Sequence, residues 1–168
     1  MDTNTRSFER DLMAIRTPLK AFAISLCRQA DRADDLVQET LKRAWVNQDS
    51  LIQNKKLKSS SVFRILHNVY REGRRKYRRE VADSDGAIAA QVSIAPAQES
   101  RMDFLDFLLA FERLSPEQKQ ALLLVCVNDI TYDDAALIAG CARGTMATRV
   151  RYARLHLEKW LGLDEPDG

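Results

Sequence analysis

TYDDAALIAGCARGTMATRVRYAR, residues 131–154, is the stretch that decides how this chain folds. Thr131, with Asp134 three residues on, starts one short helix. Ala136 is small where a second helix must cross closely. Gly140, four residues later, sits at the turn, where a positive φ is easy only for glycine. Met146 and Val150 follow at the spacing that packs a second helix onto the first. Arg143, Thr145, Thr148, Arg149, Arg151, Tyr152 and Arg154 are thereby left largely on outer faces. This is the layout of a helix-turn-helix. Arginine can take two acceptors of a guanine edge or a phosphate, and hydroxyls can bond bases or backbone. An ordinary helical hairpin with a basic exterior would share the spacing, but here it coincides with a local basic block.

The charge is segregated along the chain. The 168 residues carry a net charge of only +2. Yet between 55 and 80 ten Lys and Arg stand against Glu72 and Glu80 alone, a local excess of eight. Residues 142–160 hold five basic residues against Glu158, whereas 81–112 hold six acidic residues against Arg101. Two basic blocks separated by an acidic one point to two polyanion-binding surfaces on separate modules.

Upstream of the quoted stretch, Ser115-Pro116-Glu117-Gln118 is a strong helix start: Ser115 can cap, Pro116 fits the first position, and Gln118 can reach back. The apolar run Ala121–Val127 makes that helix a core element. Met102, Leu105, Leu108, Leu109 and Leu114 predict another helix before it. Residues 81–100 (VADSDGAIAAQVSIAPAQES) have no sustained period and read as a flexible linker. Nearer the N-terminus, Phe8, Leu12, Ile15, Leu19, Phe22, Ala23 and Leu26 mark one helical face, which Pro18 should kink or split near residue 17. Asp31, with Asp34 and Asp35, announces a further helix whose stripe is Leu36, Val37, Leu41, Ala44 and Trp45. A third covers Val62–Arg79, with Val62, Ile65, Leu66, Val69 and Tyr77 inward. No strand and no repeat is evident. The chain is therefore expected to be all-α: two small helical domains, 6–80 and 101–161, joined by the 81–100 linker.

On the third helix Arg64, His67, Asn68, Arg71, Arg75 and Arg79 fall at helical spacing, with Phe63, Tyr70 and Tyr77 interleaved. Positive charge with aromatic and amide groups suits a strand whose bases are splayed out. The same aromatics also suit a core.

Other classes find little support. Cys27, Cys126 and Cys141 are odd in number and far apart, the pattern of reduced, buried thiols in a cytoplasmic protein. The polar, acidic N-terminus gives no signal peptide, and no apolar run approaches membrane-spanning length. His67 and His156 have no partner at metal-ligand spacing, and neither a phosphate loop nor a nucleophile elbow is present, so no enzyme, metal or cofactor is expected. Asp34 and Asp35 are adjacent helical residues and do not converge on one point.

Taken in order, DRADDLVQETLKRAW (31–45), ILHNVYREGRRKYRRE (65–80), LSPEQKQALLLV (114–125) and YDDAALIAGCARGTMATRVRYAR (132–154) resemble the extracytoplasmic-function RNA polymerase sigma factors, most of all the EcfG type of the alphaproteobacterial general stress response. The resemblance runs from Phe8 to Trp160. It implies that Asp34, Asp35, Leu36, Gln38, Glu39 and Trp45 dock on the β′ clamp helices of core RNA polymerase. It implies that the loop 54–61, with Lys55, Lys56 and Lys58, and the helix carrying Arg64, His67, Asn68, Arg71 and Arg75 open a promoter −10 element. The helix-turn-helix would read the −35 element as duplex, near the β flap. The further partner implied is a NepR-like anti-sigma factor, removed by a PhyR-like regulator. Three positions depart from the family pattern: Ser59–Val62 replace a Trp-containing segment, Ala147 stands where a basic residue is frequent, and Arg143 where a small apolar one is usual. Two rival functions are a sigma-like decoy that titrates the anti-sigma factor and a dimeric helix-turn-helix repressor.

Overall fold

Proline decides where the first helix stops. Pro18 has no N–H to donate to Ala14, and its ring would press on that carbonyl. α1 (Thr3–Ala14) therefore ends four residues before the proline, and α2 (Arg16–Cys27) restarts with Pro18 in its first turn. The break lies at Ile15, two residues ahead of the expected point. The computed structural model describes residues 3–80 and 101–163. The expected linker at 81–100 and the side chains of Tyr77 and Arg79 lie outside the described residues.

α3 (Ala30–Val46) follows after Arg28, which takes a left-handed conformation with φ 56°. Gln29 precedes α3 without a side-chain cap hydrogen bond, so Asp31 is not a cap. Asp31 lies instead in the first turn, where its charge suits the positive end of the helix dipole. Ala33, Leu36, Val37, Thr40 and Ala44 face inward. Thr40, fully buried, donates its hydroxyl to the Leu36 carbonyl at 2.7 Å, so its burial leaves no polar group unsatisfied.

A short α4 (Gln48–Leu51) leads into a hairpin of two-residue strands, β1 (Ile52–Gln53) and β2 (Lys56–Leu57), paired Ile52 to Leu57 and Gln53 to Lys56. The sequence predicted no strand here. Strands this short show no alternation, and the turn signal was weak because Lys55 joins Asn54 in the left-handed region, with φ 61° and 52°. α5 (Ser59–Glu80) begins three residues ahead of the expected Val62. Val62, Phe63 and Leu66 are fully buried, and the Phe63 ring meets Phe22 of α2 edge-on with centroids 5.5 Å apart. Phe63 is thus a core residue and not a stacking platform.

α6 (Arg101–Glu112) carries apolar residues all round, which hides its inner face from a periodicity reading. Ala110 is buried, with Leu114 beyond the helix, whereas Leu105 and Leu109, part of the pattern that predicts this helix, are 48% and 67% exposed. α7 (Pro116–Leu122) has the full capping box: Gln118 N–H donates to Ser115 Oγ, and Ser115 N–H to Gln118 Oε1, both at 3.2 Å. It runs into a π-helical turn (Leu123–Val127) that swings Cys126 and Val127 outward. Cys126 is therefore exposed and Cys27 and Cys141 half-buried, so the expected buried thiols do not hold as a set. α8 (Tyr132–Ala139) and α9 (Arg143–Trp160) complete the chain.

Two apolar clusters form among the described residues. The smaller joins Ala110, Leu114, Leu122, Ala153 and Leu157. The larger runs through both halves, because α2 lies against α7 and the π turn, and α5 lies against α8. Leu19, Phe22, Leu66, Leu124, Ile138 and Met146 all belong to it.

Candidate nucleic-acid and partner interfaces

The helix-turn-helix is built by local chemistry. Thr131 Oγ1 accepts the Asp134 N–H at 3.2 Å and starts α8. Gly140 ends it at φ 68°, ψ 37°, donating to the Ala136 carbonyl. Cys141 N–H reaches the same oxygen at 3.0 Å. Met146, Val150, Ala153 and Leu157 form the buried stripe of α9. The stripe fixes what faces out. Arg143, Thr145, Thr148, Arg151, Tyr152 and Arg154 are exposed, and Arg149 is half-buried.

Several of these side chains have internal partners. Arg143 pairs with Asp133 of α8 at 3.1 Å and lies 5.7 Å over the Tyr132 ring. It therefore braces α8 against α9. The Thr148 hydroxyl donates to the Gly144 carbonyl at 2.9 Å, which leaves its oxygen as an acceptor outward. Arg154 donates to Cys126 Sγ at 3.2 Å, across from the π turn. A shallow groove of about 410 Å³ lies between the start of α7 (Ser115, Glu117, Gln118) and α9 (Gly144, Thr145, Thr148, Arg149, Tyr152). The α7 residues were missed as wall residues, because only the helix crossing brings them to α9.

On α5 the structure gathers His67, Tyr70, Arg71, Arg74 and Arg75 around a concavity of about 260 Å³. Arg64 and Asn68 are exposed on the same helix but do not line it. The His67 and Tyr70 rings lie 6.4 Å apart. Burial, and then the Arg71 charge, lower the His67 pKa below the ordinary imidazole value and so favour the uncharged ring. The concavity is thus walled by guanidinium groups and two ring systems, a surface suited to phosphate and an unstacked base. Lys55, Lys56 and Lys58 are exposed on the hairpin next in sequence.

α3 presents the acidic face. Asp35, Gln38 and Trp45 are exposed, and Trp45 leans on Phe8 with centroids 6.0 Å apart. Leu36 is only 8% exposed and belongs to the core. Asp34 pairs with Lys20 of α2 at 3.1 Å, and Glu39 accepts from Arg43 at 2.9 Å. Arg43 also reaches Glu72 of α5, an inter-helix pair that sequence spacing could not reveal. Among the described residues no group of three or more His, Cys, Asp or Glu is placed to hold a metal, and no helix is long and apolar enough to cross a membrane.

A helix-turn-helix with a basic outward helix, carried beside a second basic helix and an acidic one, defines an all-α nucleic-acid-binding protein. Residues 104–157 match the family model for sigma-70, region 4. The chain is 45% identical over 160 residues, 95% of its length and 88% of the relative's, to the ECF RNA polymerase sigma factor EcfG of Rhodopseudomonas palustris (strain TIE-1). Its structure is similar to the sigma factor RpoE of Bartonella quintana, solved in complex with the anti-sigma factor NepR. The two share 42% identity and a TM-score of 0.71, covering 94% of this chain and 98% of that one. CnrH, solved with the cytosolic domain of CnrY, shares the fold at 20% identity, with a TM-score of 0.57 over 97% of this chain and 92% of that one. The chain belongs to the ECF RNA polymerase sigma factors, and the relative of 45% identity is of the EcfG type expected from the order of its motifs.

Proposed function

We propose that this chain is an alternative sigma factor that binds core RNA polymerase and directs it to −10/−35 promoters, as a non-enzymatic subunit acting in the cytoplasm. The observation that carries the reading is the pair of separate basic surfaces, on α5 and α9, in a chain 45% identical to an EcfG sigma factor. Residues 6–80 are the unit for docking and the −10 element, 101–161 the unit for the −35 element, and 81–100 the connection. On α3, Asp35, Gln38 and Trp45 offer the polymerase an acidic, aromatic face, with Asp34 and Glu39 at its margin. On α5, Arg71 and Arg75 hold phosphates of the opened strand while the ring-walled concavity takes an unstacked base. Trapping that base offsets an unstacking free energy of only a few kcal/mol, so opening needs no nucleotide hydrolysis. On α9, Arg149, Arg151, Arg154, Thr145 and Tyr152 meet the duplex, and Arg143 orients the motif.

The regulated genes are those of the general stress response, and the inhibitor is a NepR-like anti-sigma factor, as in the Bartonella complex.

Sequencing of transcripts started in vitro by core polymerase with this protein tests the proposal. Starts preceded by a shared pair of elements are expected. Transcription no different from core alone refutes it. Binding to a NepR-like protein without salt-sensitive binding to promoter DNA would identify a decoy instead.

A further inference from the structure

Arg43 ties together the two helices to which the proposed function gives different tasks. From α3 its Nε donates to Glu39 Oε1 at 2.9 Å, within the same helix. Its two terminal nitrogens reach across to α5, Nη1 to Glu72 Oε1 at 3.2 Å and Nη2 to Glu72 Oε2 at 2.9 Å. This is the bidentate fork that only a guanidinium offers a carboxylate, and it fixes relative orientation as well as distance. The contact holds the Glu72 carboxyl below the usual carboxylate range.

The position of the tie along α5 matters. Buried side chains hold the first part of the helix, at Val62, Phe63 and Leu66, and Val69 and Tyr70 are half-buried. From Arg71 to Lys76 every side chain is exposed. Glu72 thus carries restraint two residues past the end of the apolar packing. It lies between Arg71 and Arg75, both of which wall the concavity.

We propose that Arg43 is a positioning residue for promoter opening: through Glu72 it holds the basic half of α5, with Arg71 and Arg75, in register against the polymerase-docking helix. The inference rests on the reading of α3 and α5 given above. An untethered end of α5 would keep its charge and still attract DNA, but would present its arginines over a range of angles.

The test compares the full chain with Arg43→Gln, Glu72→Gln and the double variant, each bound to core polymerase on a promoter recovered from the transcript map. Opening is followed by a fluorescent base in the −10 element, core affinity by titration, and folding by thermal melting. Each single variant should slow opening about three- to fivefold, the size expected of one bidentate exposed pair. The double variant should be no slower than either single one, Arg43→Lys should recover part of the rate, and core affinity should not fall. Additive losses, an equal fall in core affinity, or unchanged opening would overturn the proposal. Faster opening in Glu72→Gln would also overturn it, since Glu72 would then be only a charge opposing DNA. A variant whose melting temperature drops by more than a few degrees is judged through the other single variant. A wild-type protein that opens no promoter overturns the sigma-factor reading itself and is thereby distinguished.

Discussion

Replacing Gly140 by alanine isolates one physical term at the turn of the helix-turn-helix. A Cβ built on Gly140 meets nothing within 4 Å, so no steric clash contributes. What remains is the backbone, held at φ 68°, ψ 37°. A left-handed conformation costs an L-residue about 1–2 kcal/mol. Alanine also restricts the unfolded chain, which returns about 0.4–1 kcal/mol. The net loss is about 0.5–1 kcal/mol, equivalent to roughly 1–4 °C in melting temperature for a chain of this size. Gly144 supplies the internal control. It too has open space around its Cβ position, but it lies in the first turn of α9 without a positive φ. Gly144→Ala should therefore raise the melting temperature by a similar amount, since a helical glycine is about 0.5–1 kcal/mol worse than alanine. Scanning calorimetry of the two variants beside the parent gives both signs, and Gly140→Asn should fall between Gly140→Ala and the parent. A rise in Gly140→Ala would refute the left-handed turn. A fall beyond about 8 °C would mean that the position is crowded, contrary to the geometry.

His67 gives a pH dependence. Its folded pKa lies below the ordinary imidazole value of about 6.5, so the unfolded chain binds the proton more readily. Its contribution to stability is complete above that value and is lost as pH falls through it. Melting temperature should decline from pH 7.5 to 5.5, and His67→Gln should flatten the decline; an unchanged slope would exclude His67 as the source. Thr131→Ala removes the cap of α8 and should destabilise by about 1 kcal/mol, with Thr131→Ser retaining most of it, as urea denaturation can show. In solution scattering the free protein should have a radius of gyration near 15 Å, as expected for one body of 168 residues. A value beyond about 20 Å would show the halves already apart.

The helix-turn-helix was legible because its determinants are local. Thr131 meets Asp134 three residues on, Gly140 needs only its own φ, and Met146 and Val150 are one turn apart. The Ser115 capping box was legible for the same reason. Where side chains did not alternate with the helical period, the reading failed. α6 is apolar on all sides, so Leu105 and Leu109 could not be sorted from Ala110 without knowing where α9 lies. Leu36 fitted both the core stripe and the docking set, and burial against neighbouring helices assigned it to the core. The break between α1 and α2 lies at Ile15, two residues ahead of the expected point, because the proline acts on the carbonyl four residues before it.

The all-α class, the side-chain caps at Ser115 and Thr131 and the segregation of charge follow from neighbours within a turn or from composition along one face, so the order of residues carries them. Which charges find partners depends on the packing of the helices. Arg43 and Glu72, Arg143 and Asp133, and Lys20 and Asp34 each join different helices, and their meeting depends on how the helices cross. The joining of the two halves through α2 with α7 and α5 with α8 was likewise a tertiary outcome. A periodic apolar stripe announces in sequence that one face of a helix will be buried, because water disfavours a continuous apolar surface. Which surface buries it is settled only by the shapes that fold around it.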